Sequence, residues 1–375
     1  MNEKEIAEIR RRFRADKSNI SRIRGCYVNE KKEIISEFNQ SFGLMSQDET
    51  EEMLAILKKT LSGTIGKNLI DLEFSNQQVL EGAEHKSLMS MRKSSLEDDA
   101  DVSEFYGRVI QSLTFEGNYL ILLSYDKYDV FSYSKGGEKS DDSSNVFSYI
   151  LCSICPVKMT KPALSYFAHE NTFHNIAANS VVGSPELGFM FPSFDDRTAN
   201  IYNSLYYTRN TAENHDEFVD SVFKCELPMP AAVQKETFIS ILSETVSDDC
   251  NYDVVQAVHD QISGMIEEHK TNKEEEPLMI SKKTFKTVLQ SCGVDETKVA
   301  AFEEKYDTEF GADTKIRPQN IVDTKQFEVR TADVTIKVNP ERSDLLKTQV
   351  IDGIKYILIR ADESVEVNGV NIQIL

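Results

Sequence analysis

Cys152 and Cys155 are separated by two residues, and after thirteen more come His169 and His174. Two thiolates and two imidazoles at that spacing match a tetrahedral zinc site. Two features count against it. The cysteines lie in the apolar run VFSYILCSICPV, where Cys behaves as a small hydrophobe. The Phe and Leu that fill a small zinc finger are also missing from their usual offsets. The pattern reads as buried thiols with incidental histidines, so no metal or other cofactor is expected. His169-Glu170-x3-His174 is likewise one residue too long for a metalloprotease helix, because positions i and i+5 lie on different faces.

A second candidate is Asp195-Asp196-Arg197 in the segment FPSFDDR. Paired carboxylates hold a divalent cation or perform acid–base chemistry. The plainer reading is a rigid turn with an internal Asp–Arg bond. Gly63-x2-Gly66-Lys67-Asn68 lacks the spacing and the Ser/Thr of a phosphate loop and reads as a helix end with a turn. The chain contains no G-x-S-x-G, Rossmann, EF-hand or kinase signature. An enzyme whose site assembles from distant residues stays open.

The third candidate is electrostatic. Arg10, Arg11, Arg12, Arg14, Lys17, Arg22 and Arg24 crowd the N-terminus. Arginine binds phosphate bidentately, so such a cluster suits nucleic acid or another polyanion. The competing reading is pairing with the chain's own carboxylates, and positions 10, 11 and 12 point in three directions around a helix. Lys and Arg number 42 against 62 Asp and Glu, a net charge of −20. Residues 1–32 carry ten basic and five acidic side chains, a local +5, and the remainder carries −25. That bulk charge argues against duplex DNA and an anionic membrane as partners. The segments 282–292 and 296–309 have helix-turn-helix proportions, but the second is acidic and reads as half of a packed helical hairpin.

The elements that must position these residues follow from periodicity. Ile6, Ile9 and Phe13 mark a first helix. Strands over 20–28 and 33–40 form a hairpin that carries Arg22 and Arg24. Ser46 and Glu49 make a capping box for a helix over 47–61. A strand over 69–74 and a helix over 76–92 follow, and the acidic stretch 97–101 reads as a linker or loop. Strands are expected over 119–133 and 146–157, joined by an exposed polar loop over 134–145. Residues 163–208 read as short strands and ordered loops. Four helical stripes occupy 231–310. Asp352-Gly353 and Asn368-Gly369 lie between β-rich runs, the strongest short hairpin signal. The N-terminus has no apolar signal-peptide core, and the longest aliphatic run, about 119–123, is far below the roughly 20 residues of a membrane helix. The six cysteines therefore read as reduced thiols, and a soluble cytoplasmic protein is expected.

Four stretches carry a family resemblance: EIRRRFRADKSNISRIRGCYVNEKKEIISEFNQSFG, ICPVKMTKPALSY, FPSFDDRTANIY and IDGIKYILIRADESVEVNGV. Together they resemble a family of uncharacterised bacterial proteins, mostly from Gram-positive anaerobes, known only as a domain of unknown function. The resemblance spans nearly the whole chain and implies a bacterial cytosolic protein. It implies no catalytic residue, cofactor or partner.

The expected architecture is α+β in four parts. These are an N-terminal α/β region with the basic hairpin (1–115), a β-rich centre (116–228), a helical segment (229–312) and a C-terminal antiparallel β-module (318–375). The expected function is a binding or assembly protein that contacts a protein or RNA partner through the basic N-terminus. The alternative is a metal-dependent hydrolase using the carboxylate loop or the Cys/His set.

Overall fold

The computed structural model describes residues 1–130, 145–213, 215–246, 251–272, 277–361 and 365–373. The chain divides into two units, Met1–Pro230 and Ala231–Leu375.

The first unit runs α1 (Glu3–Arg10), β1 (Arg22–Val28), β2 (Ile34–Ser41), α2 (Gln47–Lys59), β3 (Leu69–Glu73), α3 (Asn76–Glu81), α4 (Ala83–Lys93) and α5 (Asp99–Ser112). It continues with β4 (Tyr119–Val130), β5 (Asn145–Met159), β6 (Ala163–Phe167), β7 (Thr172–Ile176), β8 (Ser180–Val182), β9 (Leu187–Phe191), β10 (Ser193–Asp195), β11 (Thr198–Asn200), β12 (Asn203–Thr208) and α6 (Asp216–Val222). One antiparallel sheet in the order β2-β1-β4-β5-β9-β12-β3 organises the unit, with β8 added at the end of β5.

Both faces of this sheet are covered, which is why its central strands read as unbroken apolar runs. Side chains alternate across a strand. Ile121, Leu123, Ile150 and Cys152 therefore face α4, α5 and α6, where Val102, Phe105, Tyr106 and Val109 of α5 meet them. Leu120, Leu122, Tyr149 and Leu151 face the other way, towards Ile6 and Ile9 of α1, Leu54 and Leu57 of α2, and Phe194 of β10.

The expected division at 115/116 is corrected by this sheet. β1 pairs with β4 and β3 pairs with β12, so 1–115 and 116–228 form one unit. The N-terminal strands find their ladder partners only in the central segment, a non-local pairing that local periodicity does not reveal. The stretch 97–101, expected as a loop, is the start of α5. The Asp98 side chain caps that helix by accepting from the backbone N–H groups of Ala100 and Asp101.

The second unit contains α7 (Ala231–Val246), α8 (Tyr252–Asn272), β13 (Ile280–Ser281), α9 (Lys282–Ser291), α10 (Glu296–Glu309), β14 (Lys315–Ile316) and α11 (Pro318–Ile321). Phe238, Ile262, Phe285, Val288 and Phe302 are central to its core. α9 and α10 form the expected helical hairpin, tied by Lys286 to Glu303 at 2.8 Å. Three ribbons follow: β15 (Phe327–Arg330) with β16 (Thr335–Val338), β17 (Leu346–Ile351) with β18 (Ile354–Ile359), and β19 (Val365–Val367) with β20 (Val370–Ile372). Asp352, Gly353, Asn368 and Gly369 all have positive φ, as two-residue hairpin turns require. The separate parts expected at 229–312 and 318–375 are one unit. The hydroxyl of Tyr252 donates to the Ser343 carbonyl at 3.1 Å, and Phe327 packs against the His259 ring at 5.2 Å.

Mixed α+β architecture is thus observed in both units. Among the described residues no helix is long and apolar enough to cross a membrane. The polar loop expected over 134–145 lies, apart from Asn145, outside the described residues.

Candidate functional site

The basic N-terminal cluster does not form one open cationic face. Arg12, just beyond α1, lays its guanidinium on Asp126 of β4, with Nε donating to Oδ2 at 3.0 Å and Nη2 to Oδ1 at 3.2 Å. Nη2 also donates to the Lys127 carbonyl at 3.1 Å, and the guanidinium stacks over the Tyr128 ring at 4.5 Å. Asp126 is buried, and it also accepts from the Tyr149 hydroxyl at 2.9 Å and the Asn19 backbone at 3.2 Å. Burial alone would lower the Arg12 pKa, but the hydrogen bonds and charge of Asp126 outweigh it and hold the pKa above its ordinary value. Of the others, Arg11 and Arg14 are exposed and Arg10 is half-buried. Arg14 pairs with Asp16 at 3.0 Å.

Arg22 and Arg24 behave differently. They are two apart on β1 and so share the face that looks towards α5. The same face of β4 carries Tyr125 and Lys127, with the Lys127 ammonium 5.7 Å from the Tyr125 ring centre. The loop between α4 and α5 completes a cavity of about 860 Å³ over these residues. In that loop Ser95 and Leu96 hold left-handed backbone, φ 55° and 63°. Asn39 of β2 reaches in from the neighbouring strand and accepts from Arg22 Nε at 2.9 Å.

Arg24 is only 8% exposed. Its Nη1 donates to the Leu96 carbonyl at 2.9 Å and its Nη2 to Asp99 at 2.6 Å. Its Nε is buried and makes no hydrogen bond to protein. A buried guanidinium N–H without an acceptor costs roughly 1–3 kcal/mol or more. Glu97 and Asp129 also line the cavity and add carboxylate acceptors to it. The arrangement suits a small ligand with an oxyanion for Arg22, Arg24 and Lys127, and with hydroxyl or amine donors for the carboxylates.

The other candidates are placed apart. Cys152 and Cys155 are both buried, but three residues apart on one strand they face opposite sides of the sheet and enter different cores. Burial pushes the Cys155 thiol up to about 12 and holds the Cys152 thiol well above its ordinary value, so neither is a ready thiolate. His169 and His174 stand on the exposed β6–β7 hairpin, bonded to the two oxygens of Glu170 at 3.1 and 2.8 Å. The four residues are not brought together, and among the described residues no cluster of three His, Cys, Asp or Glu is arranged to hold a metal.

Asp195, Asp196 and Arg197 form the β10–β11 turn, with Asp196 and Arg197 at positive φ. Arg197 Nη2 meets Glu8 of α1 at 3.1 Å, and Asp195 accepts from Asn200 at 3.1 Å. Glu8 also accepts from the Tyr128 hydroxyl, so this turn clamps α1 to the sheet.

Of the cavity residues, Arg22 and Arg24 were legible from the sequence. Tyr125, Lys127, Asn39 and the Ser95–Leu96 loop were not. Alternation along 119–129 could have put Tyr125 and Lys127 on one face, but nothing local brings that face against β1.

Residues 1–370 match the family model described as a domain of unknown function (DUF4317), in agreement with the resemblance carried by the four stretches above. No curated protein matches the chain.

Proposed function

The chain belongs to the DUF4317 family, and we propose that it is a binding protein that takes a small oxyanion-bearing ligand in the cavity over β1 and β4. One observation carries this reading. Arg24 is buried and lines the cavity, two of its nitrogens are fixed by Leu96 and Asp99, and its buried Nε has no protein acceptor. Fixing a cation by two hydrogen bonds while a third donor stays unmatched is the preorganisation that oxyanion recognition uses. Arg22, two residues before it on β1, and Lys127 of β4 also line the cavity and add the charge that steers an anion inward.

The same geometry supports a small ligand over RNA. Arg12 is tied to Asp126 and Arg14 to Asp16. The chain around the cluster is strongly acidic. Phosphate contacts along an RNA backbone need several free cations in a row.

The test is thermal unfolding of the full chain with inorganic phosphate as the probe, raised to tens of millimolar at constant ionic strength. Phosphate at ten times its Kd should add about 1.4 kcal/mol of stability to the wild type. The gain should vanish in Arg22→Met, an exposed position that leaves the fold intact, and persist in Arg14→Met, outside the cavity. No gain in the wild type, or an equal gain in Arg22→Met, overturns the reading.

A further inference from the structure

The cavity over β1 and β4 is lined by charges of both signs in equal number. Arg22, Arg24 and Lys127 line it, and so do Glu97, Asp99 and Asp129. One pair is closed internally, since Asp99 accepts from Arg24 Nη2 at 2.6 Å. The other four charges are not matched to one another. Arg22 donates to the neutral amide of Asn39, and Lys127 lies 5.7 Å from the Tyr125 ring centre. Among the described residues, no carboxylate pairs with Arg22 or Lys127, and no cation pairs with Glu97 or Asp129. Arg24 adds the buried Nε that has no protein acceptor.

A lone oxyanion answers only half of this lining. It satisfies the cations but meets two carboxylates of its own sign, and like charges brought together cost binding energy. A hydroxyl on the ligand would donate to Glu97 or Asp129 without cancelling their charge. A protonated amine does both, and its hydrogen bonds to a carboxylate are roughly twice as strong as neutral ones. We propose that the ligand is a zwitterion, with an oxyanion for Arg22, Arg24 and Lys127 and, on the same molecule, an ammonium group for Glu97 and Asp129. The proposal rests on the oxyanion reading of this cavity and adds the second charge. Amino acids and amine-bearing phosphate esters have this chemistry, and inorganic anions do not.

Two probe pairs test it by thermal unfolding of the full chain at constant ionic strength. They are 3-aminopropyl phosphate against propyl phosphate, and 4-aminobutyrate against butyrate. At about pH 8 each phosphate is doubly ionised and each amine protonated, so the members of a pair differ only in the ammonium. In at least one pair the amine-bearing member should bind the wild type about fivefold more tightly, the size expected of two exposed ion pairs. The pair that shows the preference identifies the oxyanion as phosphate or carboxylate. In the double variant Glu97→Gln with Asp129→Asn, at two exposed positions, the preference should disappear while the amine-free member binds at least as well as before. Binding without an amine preference in either pair, or a preference that survives the double variant, overturns the zwitterion and leaves the oxyanion reading standing. Failure of all four probes to bind overturns both.

Discussion

Arg12 shows how a residue's type can be legible while its role is not. Its sequence neighbourhood is a run of arginines, which reads as an anion contact. Its partner, Asp126, lies 114 residues away and is buried, and the pair is completed by Tyr149 and Asn19. A buried ion pair is weak evidence of net stabilisation, yet removing one member strands the other charge. Arg12→Met should therefore cost about 3–5 kcal/mol in urea unfolding, and adding Asp126→Leu to it should restore part of that loss. If the double variant is no more stable than the single one, the pair is not the source of the cost. Arg24 stands in contrast, because its surroundings leave one donor uncommitted. The two arginines are alike in sequence and differ only in what the fold brings to them.

Elements with local signatures were read well, and those that depend on neighbours were not. The β1–β2 hairpin, the Ser46 capping box and the Asp-Gly and Asn-Gly turns all occur where local chemistry places them. α5 was missed although Val102, Phe105, Tyr106, Val109 and Ile110 have helical spacing, because its acidic first turn resembles a loop. Two glycines show what strand packing demands. A Cβ on Gly188 of β9 would meet the Cys152 carbonyl oxygen at 2.2 Å and the Thr60 methyl at 2.7 Å. A Cβ on Gly25 of β1 would first meet the ring of Phe38, its cross-strand partner, at 2.1 Å. Backbone cannot retreat and an edge-strand ring can. Gly188→Ala should cost about 2 kcal/mol or more and Gly25→Ala under about 1 kcal/mol, by urea midpoints. Similar losses for the two would mean that Phe38 is held as firmly as the backbone.

At the scale of the whole molecule the boundary moves from 115/116 to 230/231. Two cores belong to 1–230 and a third to the remainder, so the first unit has what it needs to fold alone. A fragment of residues 1–230 should give a cooperative denaturation and full secondary structure by circular dichroism. A fragment of residues 1–115 should not, since β1 would lack β4 and β3 would lack β12. A folded 1–115 fragment would contradict the single-sheet account. The sequence by itself determined the α+β class, the helical character of 231–310, the C-terminal hairpins and the family, because caps, turns and periodicity act over a few residues. Only the tertiary structure decided that Arg12 pairs with a buried Asp126, that Cys152 and Cys155 enter different cores away from His169 and His174, and that Arg22, Arg24 and Lys127 line one cavity. Those outcomes depend on which strand lies beside which, and an antiparallel sheet joining residues more than a hundred apart leaves no local trace of that choice.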